Sequence, residues 1–429
     1  MAKKEQPKLT MTPEQKKVFT PVLIGVFIYA IVCSANTALS SSYVLFATKF
    51  NVTTSTVVIG NSCMTAMGFI LMQFSGKFIV KRGARLSGLI ALLGVAVGFV
   101  IMAFAPNVYV VWVAYLFLGF NSAFGQTNVT AAIVRKWIDP AYQGRYLGMV
   151  MAAASVGGAI WPALGGVLFT ALGLSSSFLI LVPCFMVPAL IGLWLIKDDP
   201  ASCGIEPLGY DPEQHEAMAA AMAARPKADP NFKMFKEPSF WLCVAGMFLT
   251  VILTSQLTLM STALQMAGMT AATASSIVSI TSLASLFVNL FSGWLFEKGG
   301  LKGFVVYSYG MVAVSSLFLW FFFTTGSFAM LVLFVVTSAL SRSYVSTHVY
   351  ASNAIFRENA SLVQPRIMSF YSLGSIVLTP IVSALADMWG GYTNMCWVWI
   401  VFSFVIVAIW LAAQKAGEKM NAAKQAAAE

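Results

Sequence analysis

Twelve long apolar segments constrain the fold of this sequence more than any other feature. Each holds about 20 or more mostly apolar residues, enough for a helix to cross a hydrocarbon core of roughly 30 Å. Backbone polar groups within lipid must be satisfied internally, which favours helices. The segments, numbered 1 to 12 throughout, are predicted at 19–48, 54–79, 86–105, 108–134, 145–172, 175–196, 239–266, 271–296, 303–324, 328–356, 367–388 and 391–414. The predicted fold class is an all-α membrane protein with twelve transmembrane helices.

The composition supports this class. Hydrophobic residues make up 59% of the chain and charged residues 10%, a balance that soluble domains do not tolerate. The net charge of +10 could indicate nucleic acid, but the basic residues lie in tails and short loops, so the expected partner is the lipid bilayer. The six cysteines show no C-x-x-C spacing, so we expect neither a metal site nor disulfides, and no cofactor.

Basic residues concentrate in alternate loops and predict the orientation. They are Lys3, Lys4, Lys8, Lys16 and Lys17 before segment 1, Lys77, Lys81, Arg82 and Arg85 after segment 2, Arg135, Lys136 and Arg145 after segment 4, Lys298 and Lys302 after segment 8, and Arg357 and Arg366 after segment 10. The opposite loops are nearly free of them, with Lys49 as the exception. The positive-inside rule then predicts that both termini and the central loop are cytoplasmic. The expected location is the cytoplasmic membrane.

The two halves of the chain repeat. The stretch 76–83 after segment 2 matches 293–300 after segment 8 at an offset of 217 residues, and Pro162 matches Pro380 at an offset of 218. A parallel repeat of this kind predicts two six-helix bundles with a substrate site between them. The predicted divisions are a tail at 1–18, bundles at 19–197 and 238–414, a cytoplasmic linker at 198–237 and a tail at 415–429. The linker contains His215, expected to be solvated, and an Ala-rich stretch at 218–224 that could be helical.

The repeated loop, with twelve helices and a central linker, resembles the Major Facilitator Superfamily. The family pattern is G-x-x-x-[D]-[RK]-x-G, and the resemblance covers essentially the whole chain. It implies a gating role for Gly76, Lys81, Arg82, Gly83, Gly293, Glu297 and Lys298. The first copy has Val80 where the family has Asp, so its gate contact is expected to be weaker, whereas the second copy keeps an acid at Glu297.

A narrower resemblance rests on three stretches. Arg135–Pro140 followed by Gly144–Gly148, then Asp199–Gly209, then Glu237–Trp241, are similar to the oxalate/formate antiporter and monocarboxylate carrier group. That group is expected to hold carboxylates with basic residues in segments 8 and 11. The matching positions here fall near Asn289 and Tyr371, which are uncharged. A single carboxylate on a larger body, for which an aromatic or sterol-like one is a candidate, therefore fits better than oxalate.

Segment 5 carries a further pattern of small residues and proline. Gly148, Gly157, Trp161-Pro162 and Gly165-Gly166 resemble the antiporter motif of the superfamily, with Trp161 where glycine is usual. Glycine lets helices approach closely and proline weakens a helix, so Gly157 and Pro162 are gating candidates. Ordinary helix packing is the alternative.

Arg342 is the main site candidate because it lies midway along segment 10. A guanidinium near the bilayer centre costs about 2.5–3.5 kcal/mol on insertion scales. No Asp or Glu lies in the middle of any apolar segment, so an anionic substrate is predicted to supply the missing charge. Alternatively, Arg342 caps carbonyls at a helix break or extends to the interface.

Other polar residues complete the candidate site. On an ideal helix Arg342 and His348 are roughly 120° apart, and Tyr344 aligns with an aromatic residue that lines the family's cavity. Both faces therefore remain candidates. His348 could carry a proton or simply hydrogen-bond in the neutral state. Asn36 and Gln126 could bind a carboxylate or a hydroxyl, or could bond a neighbouring helix.

The sequence predicts a secondary active transporter that moves organic anions, foremost monocarboxylates, by alternating access and as an exchanger. The expected partners are a small organic anion and a counter-substrate, and the expected state is a monomer. A proton-coupled symporter is the first alternative. A multidrug efflux carrier for cations would need a membrane carboxylate, and a receptor would need a signalling domain. An enzyme is disfavoured because no nucleophile–base pair, metal cluster or phosphate loop is seen.

Overall fold

The computed structural model describes residues 12–209 and 232–426, and helices form most of this part of the chain. The α-helices are Pro13–Val32, Tyr43–Phe50, Thr54–Arg82, Ala84–Ala103, Val108–Phe124, Gln126–Trp137, Pro140–Leu195, Pro238–Thr258, Met260–Met266, Ala271–Thr325, Phe328–Ser341, Thr347–Phe356, Ala360–Met388 and Met395–Ala426. Short 3₁₀ helices are Cys33–Ser41, Ala201–Cys203, Met234–Lys236, Arg342–Ser346 and Arg357–Asn359. The predicted all-α fold is confirmed.

The helices are long and apolar enough for twelve crossings. In the described residues, eleven helical stretches could span a membrane by length and composition. One of them, Arg145–Leu195, turns at Gly173 with φ 72° and holds both segments 5 and 6. A similar turn at Gly300 separates segments 8 and 9. Both turns require a positive φ, which glycine adopts at little cost.

The internal repeat extends to backbone conformation. The positive-φ positions Gly83 and Gly300 are 217 residues apart (300 − 83), as are Gly173 and Gly390 (390 − 173). The N-caps Thr53 and Thr270 share this offset. Each of these threonines accepts a hydrogen bond from the backbone N–H three residues later, which satisfies one open donor of the helix. The two halves therefore share these two turns and this helix cap.

The repeat also relates the interruptions of segments 4 and 10. Helix Val108–Phe124 ends before Gly125, and helix Phe328–Ser341 ends before Arg342, again 217 residues later (342 − 125). Both breaks fall in the middle of an apolar segment. The arginine thus occupies the position at which the first half places a glycine.

The two halves pack through two helix pairs. Segment 2 lies along segment 11, and segment 5 lies along segment 8. At the second pair a Cβ on Gly166 would meet Ser275 Oγ at 2.5 Å, so the backbones approach as closely as glycine allows. These pairs leave a cavity between the halves.

The first residues of the predicted linker are ordered. The backbone N–H of Leu208 donates to Trp137 O at 2.8 Å, and that of Asp139 donates to Leu208 O at 3.0 Å. Trp137 Nε1 donates to Lys197 O at 2.8 Å. Two of the stretches on which the narrower resemblance rests are thereby in contact. His215 and the Ala-rich stretch 218–224 lie outside the described residues, and the division into domains stays a prediction.

Candidate functional site

Segment 10 changes helix type at Arg342. The α-helix ends at Ser341, residues Arg342–Ser346 form a 3₁₀ helix, and the α-helix resumes at Thr347. Residues three apart are eclipsed in a 3₁₀ helix. Arg342 and Val345 therefore share one face, and both line the central cavity together with Ser346. The 3₁₀ helix is therefore a local break in segment 10, so the angle between Arg342 and His348 on an ideal α-helix does not apply.

The cavity lies between the halves and holds about 910 Å³. Its described lining residues come from segments 1, 2, 5, 7, 8 and 10. They are Ser34, Asn36, Thr37, Ser40, Tyr43, Asn61, Met64, Gly148, Met151, Ala152, Ala154, Ser155, Gly158, Pro162, Leu257, Thr258, Val278, Ser282, Ser285, Leu286, Arg342, Val345 and Ser346. Within this described lining, Arg342 is the one residue with a formal charge. An anion entering the cavity would meet no acidic side chain there.

The Arg342 guanidinium group is incompletely satisfied. The residue is half-buried, and its Nε is buried with no hydrogen-bond partner in the described part of the chain. A buried donor without a partner costs about 1–3 kcal/mol, and more for a charged group. A bound carboxylate could accept from this nitrogen and offset that cost.

Segment 1 contributes more hydroxyl groups to the described wall than any other segment. Its middle is the 3₁₀ helix Cys33–Ser41, in which Ser34, Thr37 and Ser40 stand three residues apart and so share one face. We call these three residues the hydroxyl row. Asn36 also lines the cavity. A Ser/Thr residue at every third position was the signal in the sequence, but it indicates a common face only once the helix is known to be 3₁₀.

The structure brings together some of the predicted binding residues and not others. Arg342 and Asn36 line the cavity, whereas Tyr344, His348 and Tyr371 are not among its lining residues. Tyr344 is 1% exposed and packs 5.8 Å from the Tyr309 ring, measured between centroids.

The other predicted binding residues have local partners or are not described. His348 Nδ1 lies 2.9 Å from Val345 O, and Tyr371 OH donates to Thr254 Oγ1 at 3.4 Å. The side chains of Gln126 and Asn289 lie outside what the structure describes. Their proposed contact with substrate stays a prediction.

Sequence reasoning missed several lining residues because they are uncharged and common in apolar helices. Asn61 in segment 2, Ser155 in segment 5, and Ser282 and Ser285 in segment 8 all face the cavity. Asn61 is half-buried, and its side chain has no hydrogen bond to the described residues. By contrast, Asn121 Nδ2 donates to Cys33 O at 2.8 Å and joins segments 4 and 1. The two asparagines thus differ in a way that their sequence context does not show.

Hydrogen bonds close the cavity at the end of the bundle opposite the basic loops. Ser62 Oγ donates to Ile376 O at 2.7 Å, and Ser55 N donates to Asp387 Oδ2 at 2.7 Å. Ser41 and Ser275 share a hydrogen bond between their hydroxyls. All three bonds join the first half to the second. Toward the basic loops, by contrast, the cavity reaches Met151 and Gly148 near the start of segment 5.

The predicted gating residues of the two loops are mostly exposed. This holds for Gly76, Lys81, Arg82, Glu297 and Lys298. Lys298 Nζ lies 4.5 Å from the Trp294 ring centroid, a cation–π distance. The packing of Gly293 lies outside what the structure describes. None of these observations tests gating, which stays a prediction.

Gly83 has a clear structural role at the start of segment 3. Its φ of 88° leads into a helix whose first N–H groups, at Ala84 and Arg85, donate to Asp198 Oδ1 at 2.7 and 3.1 Å. This carboxylate caps the helix and complements the positive end of its dipole. A Cβ at Gly83 would meet Asp198 Oδ2 at 2.7 Å. The loop glycine therefore makes room for a cap from the end of segment 6.

The segment 5 candidates pack against segment 1 or line the cavity. Gly157 lies so close to the Ile31 carbonyl that a Cβ would clash with it, and Trp161 Nε1 donates to the same carbonyl oxygen at 2.8 Å. Pro162 lines the cavity. The unusual tryptophan therefore satisfies a backbone group within the bundle.

Two six-helix halves around a central cavity are the architecture of secondary transporters. Residues 22–352 match the profile of the Major Facilitator Superfamily, and the chain belongs to this family. Among solved structures it is similar to a bacterial homolog of the human lysosomal transporter Spinster in an inward-facing, unoccupied conformation. The TM-score is 0.70 at 15% identity, covering 96% of this chain and 99% of that one. It is also similar to a D-xylose–proton symporter, with a TM-score of 0.68 at 13% identity over 92% and 96% of the two chains. These likenesses establish the fold.

Curated relatives match over shorter stretches. A probable vesicular acetylcholine transporter-B of Danio rerio is 32% identical over 128 residues, which cover 30% of this chain and 26% of that protein. The vesicular acetylcholine transporter of Homo sapiens is 28% identical over 181 residues, covering 42% and 31%. The match thus spans about a quarter to a third of these relatives. The narrower resemblance to the oxalate/formate group is not confirmed by them.

Proposed function

We propose that this transporter carries organic anions, foremost monocarboxylates, by alternating access. The observation that carries the proposal is Arg342, which stands at a helix break, lines the cavity and keeps its Nε without a partner in the described chain. In a transporter, an ionisable residue at membrane depth usually marks the substrate path. A carboxylate would supply both the opposite charge and the missing acceptor.

The contacts between the halves support alternating access. The hydrogen bonds of Ser55, Ser62 and Ser41 hold the halves together at one end, while the cavity reaches Met151 toward the other. Met151 is 42% exposed. Separation at the first end and closure at the second would expose Arg342 to the other side of the membrane.

Exchange is the proposed mode because the described cavity wall offers no proton carrier. No Asp, Glu or His is among the described lining residues, and His348 lies outside them. An exchanger needs no such group, since a second substrate resets the carrier. Proton-coupled symport remains the alternative, and His348 would be its candidate carrier.

A cationic substrate is the second candidate, because the curated relatives are acetylcholine transporters. A multidrug efflux carrier for cations falls in the same class. Quaternary ammonium groups are bound by aromatic faces, often beside acidic groups. The described lining offers Tyr43 as its aromatic residue, and it carries Arg342, which would repel a cation. The cavity therefore favours an anion.

The experiment is uptake into proteoliposomes by Arg342→Ala and Arg342→Lys. The substrate is first selected by thermal shift against a panel of monocarboxylates, since a bound ligand raises apparent stability. We expect Arg342→Ala to abolish uptake and Arg342→Lys to retain part of it, because lysine keeps the charge but not the planar donor pair. Arg366→Ala is the matched control, because Arg366 is exposed outside the cavity. Wild-type uptake by Arg342→Ala would refute the anion proposal.

Exchange is tested in the same vesicles. Labelled substrate should enter only when unlabelled substrate is loaded inside. Equal uptake into empty vesicles under an imposed pH gradient would instead establish symport. Competition by acetylcholine or choline at the concentration of the selected acid would favour the cationic candidate.

A further inference from the structure

Six of the hydroxyl groups on the described cavity wall have their protons engaged within the protein. Each of six lining hydroxyls donates to a backbone carbonyl. The bonds are Ser34 to Ala154 O at 3.2 Å, Thr37 to Ser34 O at 2.7 Å, Ser40 to Thr37 O at 2.9 Å, Ser155 to Met151 O at 3.2 Å, Thr258 to Thr254 O at 3.2 Å and Ser285 to Ser282 O at 2.7 Å. A hydroxyl has one proton and two lone pairs. While they keep these bonds, these oxygens offer acceptor positions to a ligand.

Groups that can donate to a ligand are placed differently. Arg342 and Ser346 in segment 10 and Ser282 in segment 8 belong to the second half, and none of the three side chains has a hydrogen bond to the described residues. Four of the six used hydroxyls belong to the first half. The second half thus forms a cationic, donating side that also holds the acceptors Thr258 and Ser285, and the first half forms a mostly accepting side that also holds the Tyr43 hydroxyl. Asn36 and Asn61 on the accepting side can do both.

A carboxylate alone complements only one of these sides. It has acceptors and no proton to give at neutral pH, so it suits Arg342 and leaves the accepting oxygens to water. A ligand that also carries hydroxyl groups would donate to those oxygens. Polar sites reject analogues that lack the matching hydroxyl because the protein groups are then left unpaired.

The spacing of the hydroxyl row indicates more than one hydroxyl. A 3₁₀ helix rises about 2.0 Å per residue, so neighbouring members of the row are roughly 6 Å apart along the axis. One ligand hydroxyl cannot donate to two of them. A ligand that uses the row needs hydroxyls on separate carbons.

We infer that the cargo is a polyhydroxylated monocarboxylate, held by its carboxylate at Arg342 and by its hydroxyls at the hydroxyl row. The inference rests on the proposed function and specifies its substrate class. Such a ligand bridges the two halves, because Arg342 belongs to the second and the row to the first. Binding would therefore draw the halves together around the cargo, as alternating access requires.

The test compares matched ligands on the purified full-length protein. Gluconate and galactonate are paired with hexanoate, glycerate is paired with propionate, and glucitol supplies the hydroxyls without the charge. We expect at least one hydroxylated acid to bind roughly tenfold or more tightly than its deoxy partner, since a net hydrogen bond contributes about 1 kcal/mol. Glucitol should bind far more weakly than the acid, and Arg342→Ala should abolish binding of both acids.

A double variant, Thr37→Val with Ser40→Ala, removes two acceptors of the row and keeps the carboxylate site. It should lower affinity for the hydroxylated acid roughly tenfold and leave the deoxy acid unchanged. Thr324→Val is the control, because its hydroxyl also donates within its helix but lies outside the cavity lining.

The outcomes separate the two claims. Deoxy acids that bind as tightly as their hydroxylated partners, with Arg342 still required, would overturn the hydroxyl inference and leave the proposed function intact. Binding of acids without dependence on Arg342, or no binding of any acid, would overturn both. Glucitol binding equal to that of gluconate would overturn the anion proposal while supporting the row as a hydroxyl site.

Discussion

Asp387 at the end of segment 11 accepts a 2.7 Å hydrogen bond from the backbone N–H of Ser55 in the first turn of segment 2. The two residues are 332 positions apart and belong to different halves. The carboxylate therefore meets the positive end of the segment 2 helix dipole across the interface. The repeat places Thr170 at the position equivalent to Asp387 (387 − 217), so the first half lacks this acid at the end of segment 5.

Asp387→Asn should weaken closure at this end of the cavity. An amide keeps the shape but loses the charge–dipole attraction, of about 0.3–1 kcal/mol and up to about 2 when partly buried. We expect the population open at this end to rise about two- to tenfold. The measurement is the labelling rate of a cysteine introduced at Asn61 by a membrane-impermeant maleimide, in a background without the native cysteines. Glu418→Gln, at an exposed site, is the control, and an unchanged rate in Asp387→Asn would contradict the prediction.

Gly83→Ala should destabilise the protein because the new Cβ meets Asp198 Oδ2 and the φ of 88° disfavours a side chain. The backbone penalty alone is roughly 1–3 kcal/mol, because this combination of φ and ψ is essentially restricted to glycine. Gly76→Ala is the matched control, since Gly76 lies in a helix with nothing within 4 Å of a new Cβ. Thermal unfolding in detergent should show a clear loss for Gly83→Ala and little change for Gly76→Ala. Equal melting temperatures would argue against the cap from Asp198.

Trp161→Gly restores the residue usual in the antiporter motif, yet we expect it to destabilise this chain. Trp161 is 4% exposed and its Nε1 satisfies Ile31 O at 2.8 Å. Truncating a buried tryptophan costs about 3–5 kcal/mol. Trp161→Phe, which loses the hydrogen bond but keeps much of the packing, should cost about 1 kcal/mol. The same unfolding assay measures both variants, and a stable Trp161→Gly protein would show that the motif tolerates either residue here.

Asn61→Ala and Asn121→Ala should separate function from stability. Asn61 lines the cavity without a partner among the described residues, so its loss should reduce substrate affinity and leave unfolding nearly unchanged. Asn121 joins segments 4 and 1 through Cys33 O, so its loss should cost about 1 kcal/mol by removing this hydrogen bond. Affinity by thermal shift and stability without ligand are measured on both variants. If Asn61→Ala instead lowered stability and Asn121→Ala instead lowered affinity, the roles given to the two side chains would be wrong.

Much of the fold could be predicted from the sequence, because backbone polar groups within lipid must be satisfied internally and this favours helices. The apolar runs predicted the twelve crossings, and the loop pair at 76–83 and 293–300 predicted the repeat that the positive-φ glycines Gly83 and Gly300 confirm. Arg342 was identified because a cation in an apolar segment needs an explanation. Tyr344 was proposed because it aligns with an aromatic residue that lines the family's cavity, and in the structure it packs against Tyr309.

The sequence by itself determined the number of crossings, the repeat and the position of Arg342 in a segment with no acidic residue in its middle, because these depend on local hydrophobicity and spacing. Only the tertiary structure decided which polar groups face the cavity and in what state. Ser34 donates to Ala154, 120 residues away, and Asp387 reaches Ser55 across the two halves. Whether a hydroxyl donates or accepts depends on the groups that surround it in the folded protein. These groups can be far away in the sequence, so the local residue pattern does not predict them.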